Sequence, residues 1–581
     1  MRTRRRGLAA PAPSADAPSH RPSPFRVPRV ARSGAGGAVL ARRLPLLVLV
    51  LVLLGGSYLR LAHLGRDSYG ADELYQRFVA KALLAGEGPV LPSGAEYRRG
   101  LDVTRLVAVS MELLGPSQAA ARLPTALFGV LNLILFAAVL WGLGGPWVAV
   151  WGTAFLAIDP ETLSQSRHLR FYTYQLCFGL AALYTGWRAL RNSAAPEPPA
   201  RSEVVRQWLW AGLTVVLFAL AARVQVVALT VAIGWGVCVA LAALANLRAR
   251  GWRHWRRNVP LQLTGLGVAG AALGLLLRPG AVLTLLRQSQ QVDDFARPEA
   301  DNVLAYYHTL NDAFPLLVSL APLLFLLVGL RRPRLGVYLF TWFAVPVLLH
   351  SVALPWKGMR FILLAMPALF AAAALVAAWG AGLLYRRLAS RLARAGRPGA
   401  ARAVAGAAVA GLALWLLATM PAFSRARRAV ALPKYGGWEA AAAIARARPE
   451  LAAVPLGSFQ SLRALHYFGR SDFSLIEANT AAAPGAAGYS PPLRRFQYTA
   501  VPQVAQPEIR ARYAAAGAVL LVVPERLLPT LDPALRAALQ SEAVELCAGR
   551  CEVIRLYHWR FAPAGPPRPI APAGPVAARR R

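Results

Sequence analysis

Lysine is almost missing from this chain. Of 65 basic residues only Lys81, Lys357 and Lys434 are lysine, and the others are arginine. Acidic residues are scarce as well, 27 in 581, and the charged share is 16%. A soluble chain of this length would divide into several domains richer in charge, so that class is excluded. The formal charge of +38 invites a nucleic-acid partner. The arginines, however, sit in short clusters between apolar runs, where positive charge fixes membrane topology, so no nucleic acid is implied. Four cysteines exclude a disulfide-built scaffold. Cys177 and Cys238 lie inside apolar runs and read as core packing. Cys547 and Cys551 flank Ala-Gly-Arg between two candidate strands. A hairpin there places them opposite one another for a disulfide, with two unrelated thiols as the alternative. A lone C-x-x-x-C is not a zinc site.

Long apolar runs are what the chain has instead. They fall near 44–61, 124–141, 147–158, 172–190, 208–222, 224–245, 259–277, 315–330, 335–354, 360–384 and 403–420. Their lengths suit bilayer-crossing helices and give about eleven spans. Residues 1–43 hold ten arginines and one acid, Asp16, and read as a disordered cytoplasmic tail without a convincing cleavage site, so the first run is an anchor. The arginine clusters at 188–206, 248–257, 331–334 and 386–402 then alternate with acid-bearing loops, positive side inside. The expected organisation is a basic tail (1–43), a membrane domain (44–420) with a long outer loop (65–123), an external α/β domain (421–561) and a disordered tail (562–581). In the outer loop, 101–114 has helical apolar spacing and reads as an interfacial helix. In the external domain, 438–448 and 527–539 read as helices, and 453–457, 464–468, 518–523, 544–547 and 551–557 as strands. Eleven spans from an inside start leave the C-terminus outside; an Arg- and Ala-rich, Lys-poor composition points to a GC-rich bacterial genome, so the expected setting is a bacterial plasma membrane with the C-terminal domain on the periplasmic side.

Two stretches carry chemistry. Tyr69-Gly-Ala-Asp72-Glu73 sets two adjacent carboxylates just beyond the first span, where acids are costly unless solvated, paired or used. The bland reading is a solvated loop. Asp159-Pro-Glu-Thr-Leu-Ser-Gln-Ser-Arg167-His168-Leu-Arg170-Phe-Tyr172 joins the third span to the fourth. If it is helical from Ser164, Arg167 and Arg170 share a face. An arginine pair at a membrane surface suits a phosphate, since the guanidinium fork matches phosphate oxygens. The alternative is headgroup anchoring. His168 alone reads as structural.

The order of these features resembles the GT-C superfamily of membrane glycosyltransferases, which use polyprenyl-phosphate sugars, and among them the bacterial relatives of protein O-mannosyltransferases and aminoarabinose transferases. Gly70-Ala-Asp72-Glu73 is similar to the family's acidic outer-loop motif. Leu114-Gly-Pro-Ser-Gln-Ala-Ala-Ala-Arg122-Leu-Pro124 resembles its lead into the second span, and Arg167-His-Leu-Arg170-Phe-Tyr172 the opening of the fourth. Lys357-Gly-Met-Arg360-Phe resembles its basic lead into a late span. The likeness covers about residues 44–420 and departs at 92–102, where Glu96-Tyr-Arg-Arg-Gly-Leu-Asp102 replaces a Pro-rich aromatic opening. The resemblance implies Asp72 as catalytic base. Glu73 would orient it, bind a basic partner or help hold a metal, and Asp159 would be a second acid for substrate or metal. Arg167, Arg170, Tyr172, Lys357 and Arg360 would bind the donor phosphate. It also implies a polyprenyl-phosphate-linked sugar as donor and a lipid, glycan or protein as acceptor. A divalent ion at Asp72 and Asp159 is open, and inversion is expected from one displacement at the anomeric carbon.

A transporter or flippase is the rival. It predicts internal repeats and ionisable groups at mid-membrane; no repeat relates the halves, and the candidate groups stand at span ends. A membrane scaffold would leave both constellations without a use.

Overall fold

A computed structural model describes residues 35–191, 199–277, 303–353, 358–394, 404, 406–407, 411, 418–431, 436–475, 501–547 and 549–561. The basic tail before 35, the acidic loop 278–302, Lys357, most of the run at 403–420 and the tail from 562 lie outside them. The chain divides into two units, Met1–Leu47 and Val48–Arg581. In the first, the described backbone is helical from Ala35, the start of α1 (Ala35–Leu61).

The second unit contains two short helices, α2 (Ala71–Leu84) and α3 (Leu101–Leu114), followed by α4 (Gln118–Gly144), α5 (Pro146–Ile158), α6 (Pro160–Arg167) and α7 (Tyr172–Leu190). Residues decide these boundaries locally. Ser117 caps α4 by accepting from the Ala120 N–H at 3.1 Å. Asp159 caps α6 by accepting from the Thr162 N–H at 2.8 Å, with Pro160 at the first helical position, where a missing N–H costs nothing. The bundle continues with α8 (Arg201–Val224), α9 (Ala228–Arg250) and α10 (Val259–Leu277). Next come α11 (Ala305–Ala313), α12 (Pro315–Ser319), α13 (Ala321–Arg331) and α14 (Pro333–Leu348), and then α15 (Met366–Arg394) and α16 (Pro421–Ala431).

Among the described residues six helices are long and apolar enough to cross a membrane, and three shorter apolar ones accompany them. These helices do not establish the expected count of about eleven, and most of the run at 403–420 lies outside the described residues. The run at 315–330 breaks at Leu320 between α12 and α13, next to Pro322. The run at 335–354 is one of the six and ends in a π turn at Leu349–Ala353, after Pro346. The run at 360–384 also gives one of the six, though it starts as a 3-10 turn and becomes an α-helix only at Met366. Phe136, Leu140, Leu156, Leu180, Trp342 and Phe370 pack a common core, whereas Leu51, Leu54, Leu131 and Ile134 point outward. That is the pattern of helices solvated by lipid.

The C-terminal part carries α17 (Trp438–Arg446), α18 (Ser461–Phe468) and α19 (Pro533–Ser541). Its sheet consists of β1 (Leu456–Ser458), β2 (Phe473–Leu475), β3 (Gln503–Val504), β4 (Ala518–Pro524), β5 (Ala543–Glu545) and β6 (Ile554–Arg560). The strand order is β3-β2-β1-β4-β6-β5. The first four strands are parallel, and β6 and β5 run antiparallel to their neighbours. The stretch 464–468, read as a strand, is instead the end of α18. Its apolar side follows the helical period, and Gly469 stops it at φ 75°. Cys547 and Cys551 are joined by a disulfide, with Cα atoms 5.5 Å apart, in the turn between β5 and β6. Gly437, which opens α17 at φ 92°, is required there: a Cβ would lie 1.7 Å from the Cys551 carbonyl oxygen.

Candidate functional site

The adjacent carboxylates have opposite environments. Glu73 is buried. Its Oε1 and Oε2 accept from Arg122 Nε and Nη2 at 2.8 and 2.9 Å, and from the N–H groups of Leu169 and Gly70 at 2.7 and 2.6 Å. Burial alone would raise its pKa, but the Arg122 charge and these hydrogen bonds outweigh it and hold Glu73 down at about 2. Arg122 spends its remaining donors on the carbonyls of Leu64, Asp67 and Ser68. Of the three roles open to Glu73, binding a basic partner is the one the geometry displays. The pair fastens α2, α4 and the strand-like segment before α7 to one point.

Asp72, one residue earlier, has a side chain 47% exposed. Its Oδ2 faces two guanidiniums, Arg170 Nη2 and Arg360 Nη1, each at 3.3 Å. Arg170 also donates to the Asp72 backbone carbonyl at 3.0 Å. Burial alone would depress the Arg170 pKa, but Asp72, Tyr172 and Tyr97 raise it above its ordinary value, so it is a fixed cation. Residues separated by almost 300 positions in sequence thus converge on a single carboxylate oxygen. Phe171 and Tyr172 lie under the Arg170 guanidinium at 5.2 and 5.5 Å. Gly100 makes this approach possible: it sits at φ 64°, and a Cβ would meet the Phe171 ring at 2.4 Å.

The other expected site residues go elsewhere. Arg167 and Arg170 share no helical face, because α6 ends at Arg167. Arg167 donates to the carbonyls of Leu59 and Ala62 at 2.9 and 2.6 Å, closing the C-terminal end of α1. Asp159 is only 2% exposed. Burial pushes its pKa up to about 6, against the Thr162 hydrogen bonds and the nearby Arg60 charge. It is the cap of α6 and not a second acid beside Asp72. Arg60, equally buried, donates to the carbonyls of Leu156 and Ala157 at 3.0 and 3.2 Å. His168, just past the end of α6, pairs with the Ser164 carbonyl one turn back.

The pair expected to hold a divalent ion does not form a cradle. Asp72 faces two cations, and Asp159 is closed off by its own helix. Among the described residues no three His, Cys, Asp or Glu side chains gather around a common point. These residues do not fit a metal site.

Sequence reasoning missed several contributors. Tyr97 lies close enough to Arg170 and Asp72 to feel both charges. Tyr306 accepts from the Gly358 N–H at 3.2 Å and so fixes the backbone two residues before Arg360. Neither had a local signal, since each acts from a separate loop or helix. Arg122 did have one, in the stretch leading to Pro124.

Comparison with solved structures supports the fold. ArnT from Cupriavidus metallidurans in the apo state aligns with 92% of this chain and 100% of its own, at 15% identity and a TM-score of 0.50. The same protein bound to undecaprenyl phosphate aligns over the same shares, at 17% identity and 0.51. The archaeal oligosaccharyltransferase AglB from Archaeoglobus fulgidus, in complex with an inhibitory peptide and a dolichol-phosphate, aligns with 84% of this chain and 70% of its own, at 14% and 0.52. Both neighbours are GT-C proteins, and this chain has the GT-C fold. No family model matches the sequence, and no curated protein does.

Proposed function

We propose that the protein is a membrane glycosyltransferase that moves a sugar from a polyprenyl-phosphate donor to a hydroxyl or amine acceptor on a lipid, glycan or protein. The observation that carries this reading is the half-exposed Asp72 carboxylate held between Arg170 and Arg360. A base and two phosphate-binding forks at one point are the groups such a transfer uses. The fold neighbours that hold undecaprenyl phosphate and dolichol-phosphate support the donor class.

In the free protein the two arginines neutralise Asp72. A donor phosphate competes for the same guanidiniums and, once seated, leaves the carboxylate free. Asp72 then takes the acceptor's proton while the acceptor oxygen or nitrogen bonds to the anomeric carbon. The bond from that carbon to the phosphate oxygen breaks, and the electron pair leaves with the polyprenyl phosphate. Arg170 and Arg360 stabilise the growing phosphate charge. One displacement inverts the anomeric centre. Lys357 belongs to the same basic segment as Arg360 and is proposed as a further phosphate contact, and Tyr172 as the ring on which Arg170 rests. The arginine-rich connecting segments support a cytoplasmic N-terminus, an extracytoplasmic site and a C-terminal domain on that same side of a bacterial plasma membrane.

The direct test incubates membranes with and without the protein with a panel of polyprenyl-phosphate sugars. Protein-dependent consumption of one donor is the expected result. Consumption of none, with transport of one across sealed vesicles, overturns the reading in favour of a flippase.

A further inference from the structure

The helix start that delivers Asp72 is held from two sides. On its C-terminal side Glu73 is locked to Arg122 and the Leu169 N–H. On its N-terminal side the partner comes from the far end of the sequence. The Tyr69 N–H donates to the Tyr467 hydroxyl at 2.7 Å, and Gln118 Nε2 donates to the same oxygen at 3.3 Å. Ser68 is hydrogen-bonded to it as well. Tyr467 lies on α18 of the C-terminal part, 398 positions from Tyr69.

The contact around this hydroxyl is built, not incidental. Tyr69 is fully buried, with the Arg77 and Arg122 guanidiniums 4.9 and 5.0 Å from its ring centre. Arg77 also donates to the Tyr69 hydroxyl at 2.7 Å. His466, beside Tyr467, sets its ring edge-on to Tyr69 and Phe78 at 5.3 and 6.1 Å. Leu462, one turn earlier on α18, is a buried member of the apolar cluster that also holds Tyr69, Leu74, Phe171 and Leu363. The cluster thus joins α18 to the segments that carry Asp72, Arg170 and Arg360.

We propose that Tyr467 is a positioning residue for Asp72, so that the C-terminal domain sets the geometry of the base through one hydroxyl. This rests on the transferase reading. A buried N–H without its acceptor draws the backbone toward another partner or water. Here that backbone lies three residues before Asp72, whose carboxylate needs placement within a fraction of an ångström.

The experiment measures Tyr467→Phe, Asp72→Asn and the double variant in purified full-length protein, with kcat and donor KM separated. Tyr467→Phe keeps the ring packing and removes the acceptor. Its kcat should fall about five- to thirtyfold, the size of one lost buried hydrogen bond, with donor KM within about twofold. In the Asp72→Asn background the same change should cost less than about twofold, because the two act as one unit. The amide of Tyr69 should lose hydrogen-exchange protection. Unchanged kcat, or a fall that multiplies undiminished onto Asp72→Asn, overturns the proposal and makes Tyr467 a packing residue only. Where Tyr467→Phe does not accumulate, Gln118→Leu is measured instead. Its expected effect is a fall of about two- to fivefold in kcat, and no change there is equally decisive. A fully active Asp72→Asn protein defeats the transferase reading itself, whatever Tyr467 does.

Discussion

Two helix starts in this molecule look alike in sequence and differ in what they can do. At the start of α2, an acid stands close to arginines from distant segments. The start of α6 repeats the arrangement, with Asp159 beside Arg60. Asp72 is half-exposed, and its carboxylate is shared between Arg170 and Arg360 without serving its own helix. Asp159 is buried, its carboxylate is the helix cap, and Arg60 spends its donors on the carbonyls that end α5. Both starts set an acid near arginine, but only one leaves the acid accessible to a third party. Accessibility, more than the presence of an acid near a membrane, separates a site from a joint. Glu73 makes the same point one residue from Asp72, since its four hydrogen bonds leave nothing to offer a substrate.

The change with the largest expected consequence is Asp72→Asn, which keeps shape and removes the proposed base. Turnover at matched protein level should fall by about two to four decades. If it does not, the contrast between the two helix starts has no functional content. Next comes the joint beside it. Arg122→Met leaves Glu73 buried without its cation, a loss of about 3–5 kcal/mol, to be read as folded yield and unfolding midpoint in detergent. The pH dependence has a definite sign. The folded pKa of Glu73 is depressed to about 2, so the stability it contributes is present above its unfolded value, near 4.5, and is lost as pH falls through about 2. In Arg122→Met that loss should begin at a higher pH.

Much of this was legible in the sequence, unevenly. The apolar runs announced the bundle because lipid demands long apolar helices, and the motifs resembling GT-C proteins pointed to Asp72, Arg170 and Arg360. Helix breaks inside apolar runs, as at Leu320 and after Pro346, were hidden because hydropathy does not register backbone geometry. The helix α2 was missed because Ala-Asp-Glu-Leu-Tyr-Gln is too polar to show an apolar stripe at its start. Spacing alone pairs Arg167 and Arg170 on a helix that stops between them, and Asp159 reads as a second acid because an N-cap and a catalytic acid have the same spelling. Tyr467 carried no signal at all, since its partner lies in another part of the fold.

Arg170→Ala sharpens the comparison with a smaller effect. It removes one partner from Asp72 and one fork from the proposed phosphate site, and should weaken donor use about ten- to a hundredfold. Arg167→Ala, which uncaps α1 without touching Asp72, should alter stability and leave donor KM alone. Equal kinetic losses in the two variants would return Arg167 to the phosphate site.

The smallest effect is expected at Asp159, and its sign is what matters. Burial raises the folded pKa of Asp159 to about 6 from an unfolded 3.8. A raised carboxyl contributes stability that is fully present below its unfolded value and is lost as pH rises through the folded one. Above about pH 6 the native protein therefore carries an ionised, buried cap, at a cost on the order of 1–3 kcal/mol for a shift of this size. Asp159→Asn keeps an oxygen for the Thr162 N–H, because asparagine caps helices about as well as aspartate, and it never ionises. The variant should match the parent near pH 4 and equal or exceed it in unfolding midpoint at pH 7, with turnover within about twofold at both. An unfolding series at pH 4, 5.5 and 7 on both proteins, paired with transfer assays, reads this directly. A tenfold loss of turnover with unchanged stability would restore Asp159 as a second acid and erase the distinction between the two helix starts.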